Sequence, residues 1–258
     1  MKTRKKIKRY QEFLMNSWPA HHYYFLNGWI LRFNDGVTSR TNSVFPLRYT
    51  GSQKTLDEDI KIVEQAYGAY NLPPIFTMHE FHEPKNLKAK LIKRGYHTFD
   101  FTNVLGIGIH EIKKTNITND FKYEFYDTRI NEFSDFLARF SGRNEKEQLI
   151  IDEIANRMII PKKLFIVARS QGEIVGSLMA VLVPQGFLYL GDVLVHPNYR
   201  RQKLATSLFT KLMTEWAVPN GAKYVWLQVE IENSGALNLY SNLGLKNIYS
   251  YYYMKRDL

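Results

Sequence analysis

Hydrophobic and polar positions change rhythm along the chain, and each change marks an element. From Leu164 the apolar residues run in strand-length blocks: Leu164–Ala168, then Ile174–Val183 after a turn at Ser170–Glu173, then Phe187–Val195 after Pro184–Gly186. Three consecutive antiparallel strands are the simplest reading. Upstream, Ile130, Phe133, Phe136, Leu137 and Phe140 recur at helical spacing, as do Leu149, Ile150, Ile154 and Met158. Downstream, Leu204, Leu208, Leu212 and Trp216 form a stripe widened by Ala205, Phe209 and Met213, which predicts a helix lying on a sheet. Tyr224–Ile231 alternates and places Trp226, Gln228 and Glu230 on one face of a strand. A short helix over Ser234–Leu243, capped by Asn233 and stopped by Gly244, precedes an aromatic last strand with Tyr249, Tyr251, Tyr252 and Tyr253.

The first half gives its own series of elements. Gly28–Phe33 and Thr41–Leu47 read as strands, Leu56, Ile60, Val63 and Tyr67 as a helical stripe, Pro74–Met78 as a strand, and Leu87–Lys93 as a short helix ending at Gly95. Superposing Gly95 on Gly244 aligns two short helices, each followed by an aromatic strand, so the chain reads as a weak tandem repeat. Periodicity is lost over residues 108–120, which predicts a linker between a domain at 1–107 and a domain at 121–258. The fold class is α/β with mixed, mostly antiparallel sheets flanked by helices.

Composition narrows the chemistry. The chain has 258 residues, 45% of them hydrophobic, and no cysteine, which removes disulfides, thiolate metal sites and a cysteine nucleophile. Seven histidines show no ligand spacing beyond the pair His21–His22, so no metal is expected. No apolar run reaches membrane-spanning length and the basic start Met1–Arg9 leads into polar sequence, which predicts a cytoplasmic protein without a membrane partner. The net charge of +10 fits an anionic ligand; no nucleic-acid recognition motif accompanies it. The basic start itself reads as a solvated end or the exposed face of a first helix.

The richest stretch is Val193–Thr206, a strand that passes through His196–Lys203 into a helix. Free N–H groups and the dipole of a helix start suit a pyrophosphate, and Arg200, Arg201 and Lys203 add charge. Arg200 through Ala205 resembles the Gln/Arg-x-x-Gly-x-Gly/Ala motif of the GNAT acetyltransferase superfamily, with Lys203 in place of its central glycine. Lacking glycine's freedom, Lys203 is expected to exclude left-handed backbone there. Asn233–Leu245 is similar to the superfamily's Asn-x-x-Ala-x-x-Leu-Tyr-x-x-x-Gly-Phe motif, with Leu245 for the phenylalanine.

The resemblance implies an acetyl-CoA-dependent N-acetyltransferase in residues 121–258, acting on a primary amine of a small molecule or peptide by direct attack in a ternary complex. It implies that Val193, Leu194 and Val195 hold the pantetheine arm, that Arg200, Arg201, Gln202, Lys203, Leu204, Ala205 and Thr206 cradle the pyrophosphate, and that Asn233, Ala236 and Tyr240 complete the cofactor site. Tyr240 is the expected general acid, since a phenol of pKa about 10 is protonated at neutral pH. Many relatives carry a glutamate as base where this chain has Gln228, so Glu230 or Asp192 is expected to act through a water. A non-catalytic acyl-CoA-binding regulatory module is the alternative.

In the first half, Leu91 stands where Tyr240 does and Pro84 where Asn233 does, and no basic phosphate turn follows Asn42–Pro46. With Gly28–Arg32 and Asn42–Val44, this half resembles the degenerate first repeat of tandem GNAT proteins. The resemblance implies a monomeric pseudo-dimer or a homodimer. Trp18, Tyr23, Tyr24, Phe25 and Trp29 are expected in a core or inter-domain role rather than around an acceptor.

Overall fold

The computed structural model describes residues 2–113 and 120–257. It divides into two compact units, Met1–Thr102 with Tyr249–Leu258, and Asn103–Ile248. The expected boundary at 107 and the assignment of the whole C-terminus to the second domain therefore change. The reason is strand pairing: the last strand, Lys246–Lys255, sets Tyr252–Lys255 antiparallel to Ile75–Met78, so the chain's end belongs with the first unit. Of the expected linker 108–120, positions 114–119 lie outside the described residues. Its start is anchored, with Ile109 N–H on Lys223 O at 2.9 Å and Lys113 N–H on Leu243 O at 3.2 Å.

The first unit opens on a helix, Lys2–Ser17, that buries Ile7, Tyr10, Phe13 and Leu14 while its basic residues stay mostly exposed. A hairpin follows, β1 (His22–Leu26) paired with β2 (Trp29–Phe33). The sequence pattern did not predict β1, because its face is solvated: Tyr23, Tyr24 and Phe25 are exposed, whereas Trp18 and Trp29 are buried. The strand expected over Thr41–Leu47 shrinks to bridges at Val44 and Phe45. Asn42 and Ser43 satisfy local backbone instead, Asn42 Nδ2 donating to Thr38 O at 2.9 Å and Ser43 Oγ to Ser39 O at 2.6 Å. Trp29, Leu31, Val44, Ile60, Phe76 and Met254 join one core.

The second unit follows the expected succession of helices and strands from Asn131 to Asn242, with a further strand ahead of it. β5 (Lys122–Tyr126) pairs antiparallel with β6 (Lys163–Ser170), which pairs with β7 (Glu173–Val183), then β8 (Phe187–Val195). The β6–β7 turn places both Gln171 and Gly172 at positive φ, 52° and 89°, the geometry a tight hairpin of this hand requires. β9 (Tyr224–Glu230) joins β8 in parallel. Helix α6 (Leu204–Lys211) packs Leu204 and Leu208 against Gly176 of β7; a Cβ there would meet Leu208 at 3.1 Å. Beyond Lys211 the helix widens into a π-helical turn, Leu212–Ala217. Burial of Ile166, Leu178, Leu190, Leu208 and Val225 drives the unit together, at roughly 1.5–3 kcal/mol per large side chain.

Candidate active site

β8 and β9 begin in register, Phe187 opposite Tyr224 through Leu190 opposite Leu227, and then part. The cause lies in β8. Asp192 takes a left-handed φ of 47°, its pairing with β7 shifts register between Ser177 and Met179, and Ser177 Oγ fastens the bulge by donating to Asp192 O at 3.0 Å. Past the bulge, the Val193–Val195 edge has no β9 partner and opens on a cleft of about 660 Å³. Its other wall is α7 (Ser234–Asn242).

Every cofactor position expected from sequence lines this cleft except Gln202, whose side-chain amide turns away to donate to Asn198 O at 3.0 Å. Tyr199, Gly235, Asn238, Leu239 and Asn242 also line it; none of them was among the site residues expected from sequence. At the start of α6, the first intrahelical bond described is Ser207 N–H to Lys203 O, which leaves the N–H groups of Leu204 to Thr206 ahead of the ladder. Lys203 itself is left-handed, φ 59° and ψ 16°, and Arg201 has φ 64°. This corrects the expectation that lysine would exclude that geometry: the turn imposes it, at a cost of about 1–2 kcal/mol. Arg200 spends its Nε on Val195 O at 3.3 Å, tying the basic turn to the strand end.

Asn233 caps α7, its Oδ1 accepting from Ala236 N–H at 3.0 Å, so its amide group alone is left for a ligand. Tyr240 lines the cleft and is nearly shut from solvent. Burial, and then the nearby Tyr189 phenol, push its pKa well above the ordinary phenol value, so it stays protonated through neutral pH.

The two candidate bases sit in unlike surroundings. The Asp192 side chain is almost wholly covered and accepts from Arg129 NH1 at 2.9 Å, with Arg143 NH1 at 3.9 Å; Arg129 Nε also reaches Asp152 at 2.8 Å. Taking up a proton would cost Asp192 that ion pair. Glu230 is exposed at the end of β9. Gln228, two residues before Glu230 on β9, has a buried Oε1 with no hydrogen-bond partner among the described residues. Arg129 was missed from sequence because an isolated arginine in a turn carries no pattern.

Residues 124–245 match the family model described as the acetyltransferase (GNAT) family. They belong to that family. A second model, described as the C-terminal part of the probable histone acetyltransferase Rv0428c, matches residues 6–94. The chain is 28% identical over 249 residues to the uncharacterized N-acetyltransferase YobR of Bacillus subtilis, covering 96% of this chain and 97% of that protein. An N-alpha-acetyltransferase of Sulfurisphaera tokodaii is 32% identical over 33% of this chain and 57% of its own length. In fold, a GCN5-related N-acetyltransferase from Kribbella flavida superposes with a TM-score of 0.71 at 14% identity, covering 97% and 95% of the two chains. A tandem GNAT protein from the clavulanic acid biosynthesis pathway gives 0.58 at 11% identity, over 78% and 69%.

The GNAT domain makes this chain an acetyltransferase enzyme. Among the described residues no cluster of three or more His, Asp or Glu side chains could hold a metal ion, and no helix is long and apolar enough to cross a membrane.

Proposed function

We propose that the chain is a cytoplasmic acetyl-CoA-dependent N-acetyltransferase that acetylates a primary amine of a small molecule or peptide, with one active site per chain, in the GNAT domain. The observation that carries this reading is the cleft between Val193–Val195 and Tyr240, with a basic turn and unpaired helix N–H groups at one end. An elongated thioester bearing phosphates fits those features: cations and N–H donors for the pyrophosphate, and an unpaired strand edge for the amide-bearing arm.

In the reaction, the amine nitrogen attacks the thioester carbonyl carbon and a C–N bond forms. Negative charge gathers on the carbonyl oxygen, where a backbone N–H of the Val193–Val195 edge stabilises it. The C–S bond then breaks and the leaving sulfur takes the Tyr240 hydroxyl proton, while the nitrogen's proton passes through water to a carboxylate. Glu230 suits that last role better than Asp192, since its charge is not committed to a buried arginine pair. A base is needed because an alkyl amine of pKa about 10.4 is almost wholly protonated near pH 7.

The second reading, a non-catalytic acyl-CoA-binding module, is favoured by Gln228 and by the committed state of Asp192. Thiol release from acetyl-CoA across amines, amino acids, polyamines, aminoglycosides and peptides decides between them. Release with at least one class of amine supports the enzyme. Binding of acetyl-CoA with background release across the panel selects the module.

A further inference from the structure

Arg32 is fully buried in β2, and no carboxylate among the described residues pairs with it. Its Nε donates to Ser43 O at 3.2 Å and its NH2 to Ser43 Oγ at 2.9 Å, and the guanidinium carbon lies 3.5 Å from the centre of the Phe45 ring. The remaining amino group, NH1, is buried with no hydrogen-bond partner. The groups that act on it electrostatically are phenols, those of Tyr253, Tyr67, Tyr23 and Tyr251, and burial raises the pKa of Tyr67 and Tyr253 above the ordinary phenol value. Tyr67 Oη is itself committed, donating to Arg32 O at 2.9 Å.

A guanidinium is not deprotonated in a protein, so Arg32 carries a full charge into a space without a counter-ion. The ring face of Phe45 compensates only a small part of the lost hydration. Arg129 shows the usual solution, one buried arginine against two carboxylates. Arg32 is also held in a fixed orientation: Ser43 Oγ donates to Ser39 O and is 2.9 Å from Thr77 Oγ1, so the side of the fork that Ser43 grips cannot swing to relieve NH1. An arginine held rigidly on one side and unpaired on the other is built to receive an anion.

We propose that Arg32 anchors a carboxylate-binding site inside the first unit, with NH1 and the adjoining edge of the guanidinium taking one small monoanionic carboxylate. A single negative charge neutralises the single buried cation, whereas a phosphate dianion would leave an excess charge in the same apolar surroundings. The aromatic neighbours add preference for a carboxylate on a flat apolar body. The segment that follows β2, Asn34–Asn42, holds no helix or strand and is closed by short-range bonds such as Thr41 N–H to Thr38 O at 3.1 Å. This site is separate from the cleft of the GNAT domain and does not depend on acetyl transfer.

Thermal unfolding of the full chain in sodium acetate or sodium benzoate, against chloride at matched ionic strength, tests it. The midpoint should rise saturably, by about 5–10 °C at a hundredfold excess over Kd. Arg32→Met should abolish the rise and, without carboxylate, should melt no lower than the parent, because it removes an uncompensated charge; a purely structural clamp would melt lower. If Arg32→Met does not fold, benzoate saturation of the parent should shift the Phe45 and Tyr67 side-chain resonances. No saturable rise in the parent, the same rise in Arg32→Met, a lower melting point for that variant without carboxylate, unmoved resonances, or stabilisation by phosphate alone would each overturn the assignment.

Discussion

Arg129 NH1 lies 2.9 Å from Asp192 Oδ2, and both side chains are almost wholly withdrawn from solvent. The contact joins the turn ahead of the helix Asn131–Phe140 to the bulge that parts β8 from β9. Removing Arg129 takes from the covered Asp192 carboxylate its nearest counter-ion and leaves only Arg143 at 3.9 Å, so Arg129→Met should cost roughly 3–5 kcal/mol of stability. As the bulge relaxes, acetyl-CoA affinity should fall with it. Chemical denaturation and calorimetry check both; a variant with parental stability would mean the pair is open to water.

The same pair bears on the base. Asp192→Asn should lower stability and cofactor affinity together, while Glu230→Gln should lower turnover and flatten the acidic limb of its pH profile with the fold intact. The opposite pattern would make Asp192 the base.

Tyr240 gives the sharpest expectation. Tyr240→Phe keeps the ring and its packing and deletes the proton donor, so turnover should drop about 10²- to 10⁴-fold with little change in acetyl-CoA affinity. Turnover within about threefold of the parent would leave Tyr240 as a packing residue and water as the acid.

The basic turn that leads a strand into a helix stands in the GNAT domain and has no counterpart after Asn42–Pro46, so titration calorimetry should count one acetyl-CoA per chain. Arg200→Glu should weaken that binding, more at low salt than at high, because it sets a negative charge beside the pyrophosphate. Two equivalent sites would refute a single site per chain, and unchanged affinity at low salt would place Arg200 away from the ligand.

In the first unit, His79 is buried, its Nδ1 accepting from Phe81 N–H at 3.1 Å. Burial first, then the charges of His82, Lys8 and Arg4, hold its pKa down to about 4. The unfolded chain titrates this ring near 6.5, so it binds the proton that the folded state refuses. The contribution is complete above about pH 6.5 and is lost as pH falls toward about 4, at up to about 1.4 kcal/mol per pH unit. His79→Gln should flatten stability across that window in denaturant titrations; an unchanged slope would assign it to other groups.

The sequence by itself determined most of the GNAT domain's elements and most of the residues that line its cleft. Leu204, Leu208 and Leu212 could only be a helix on a sheet, and Asn233 with Gly244 bounded α7, because periodicity and capping are local properties. Tertiary structure decided what depends on partners distant in the chain. The left-handed backbone of Lys203 is imposed by the turn against that residue's own preference. The burial of Asp192 depends on Arg129, 63 positions away, and the membership of Tyr249–Leu258 in the first unit depends on pairing with Ile75–Met78. The uncompensated charge of Arg32 was equally hidden, since a sequence states that an arginine is charged but not whether an acid stands beside it.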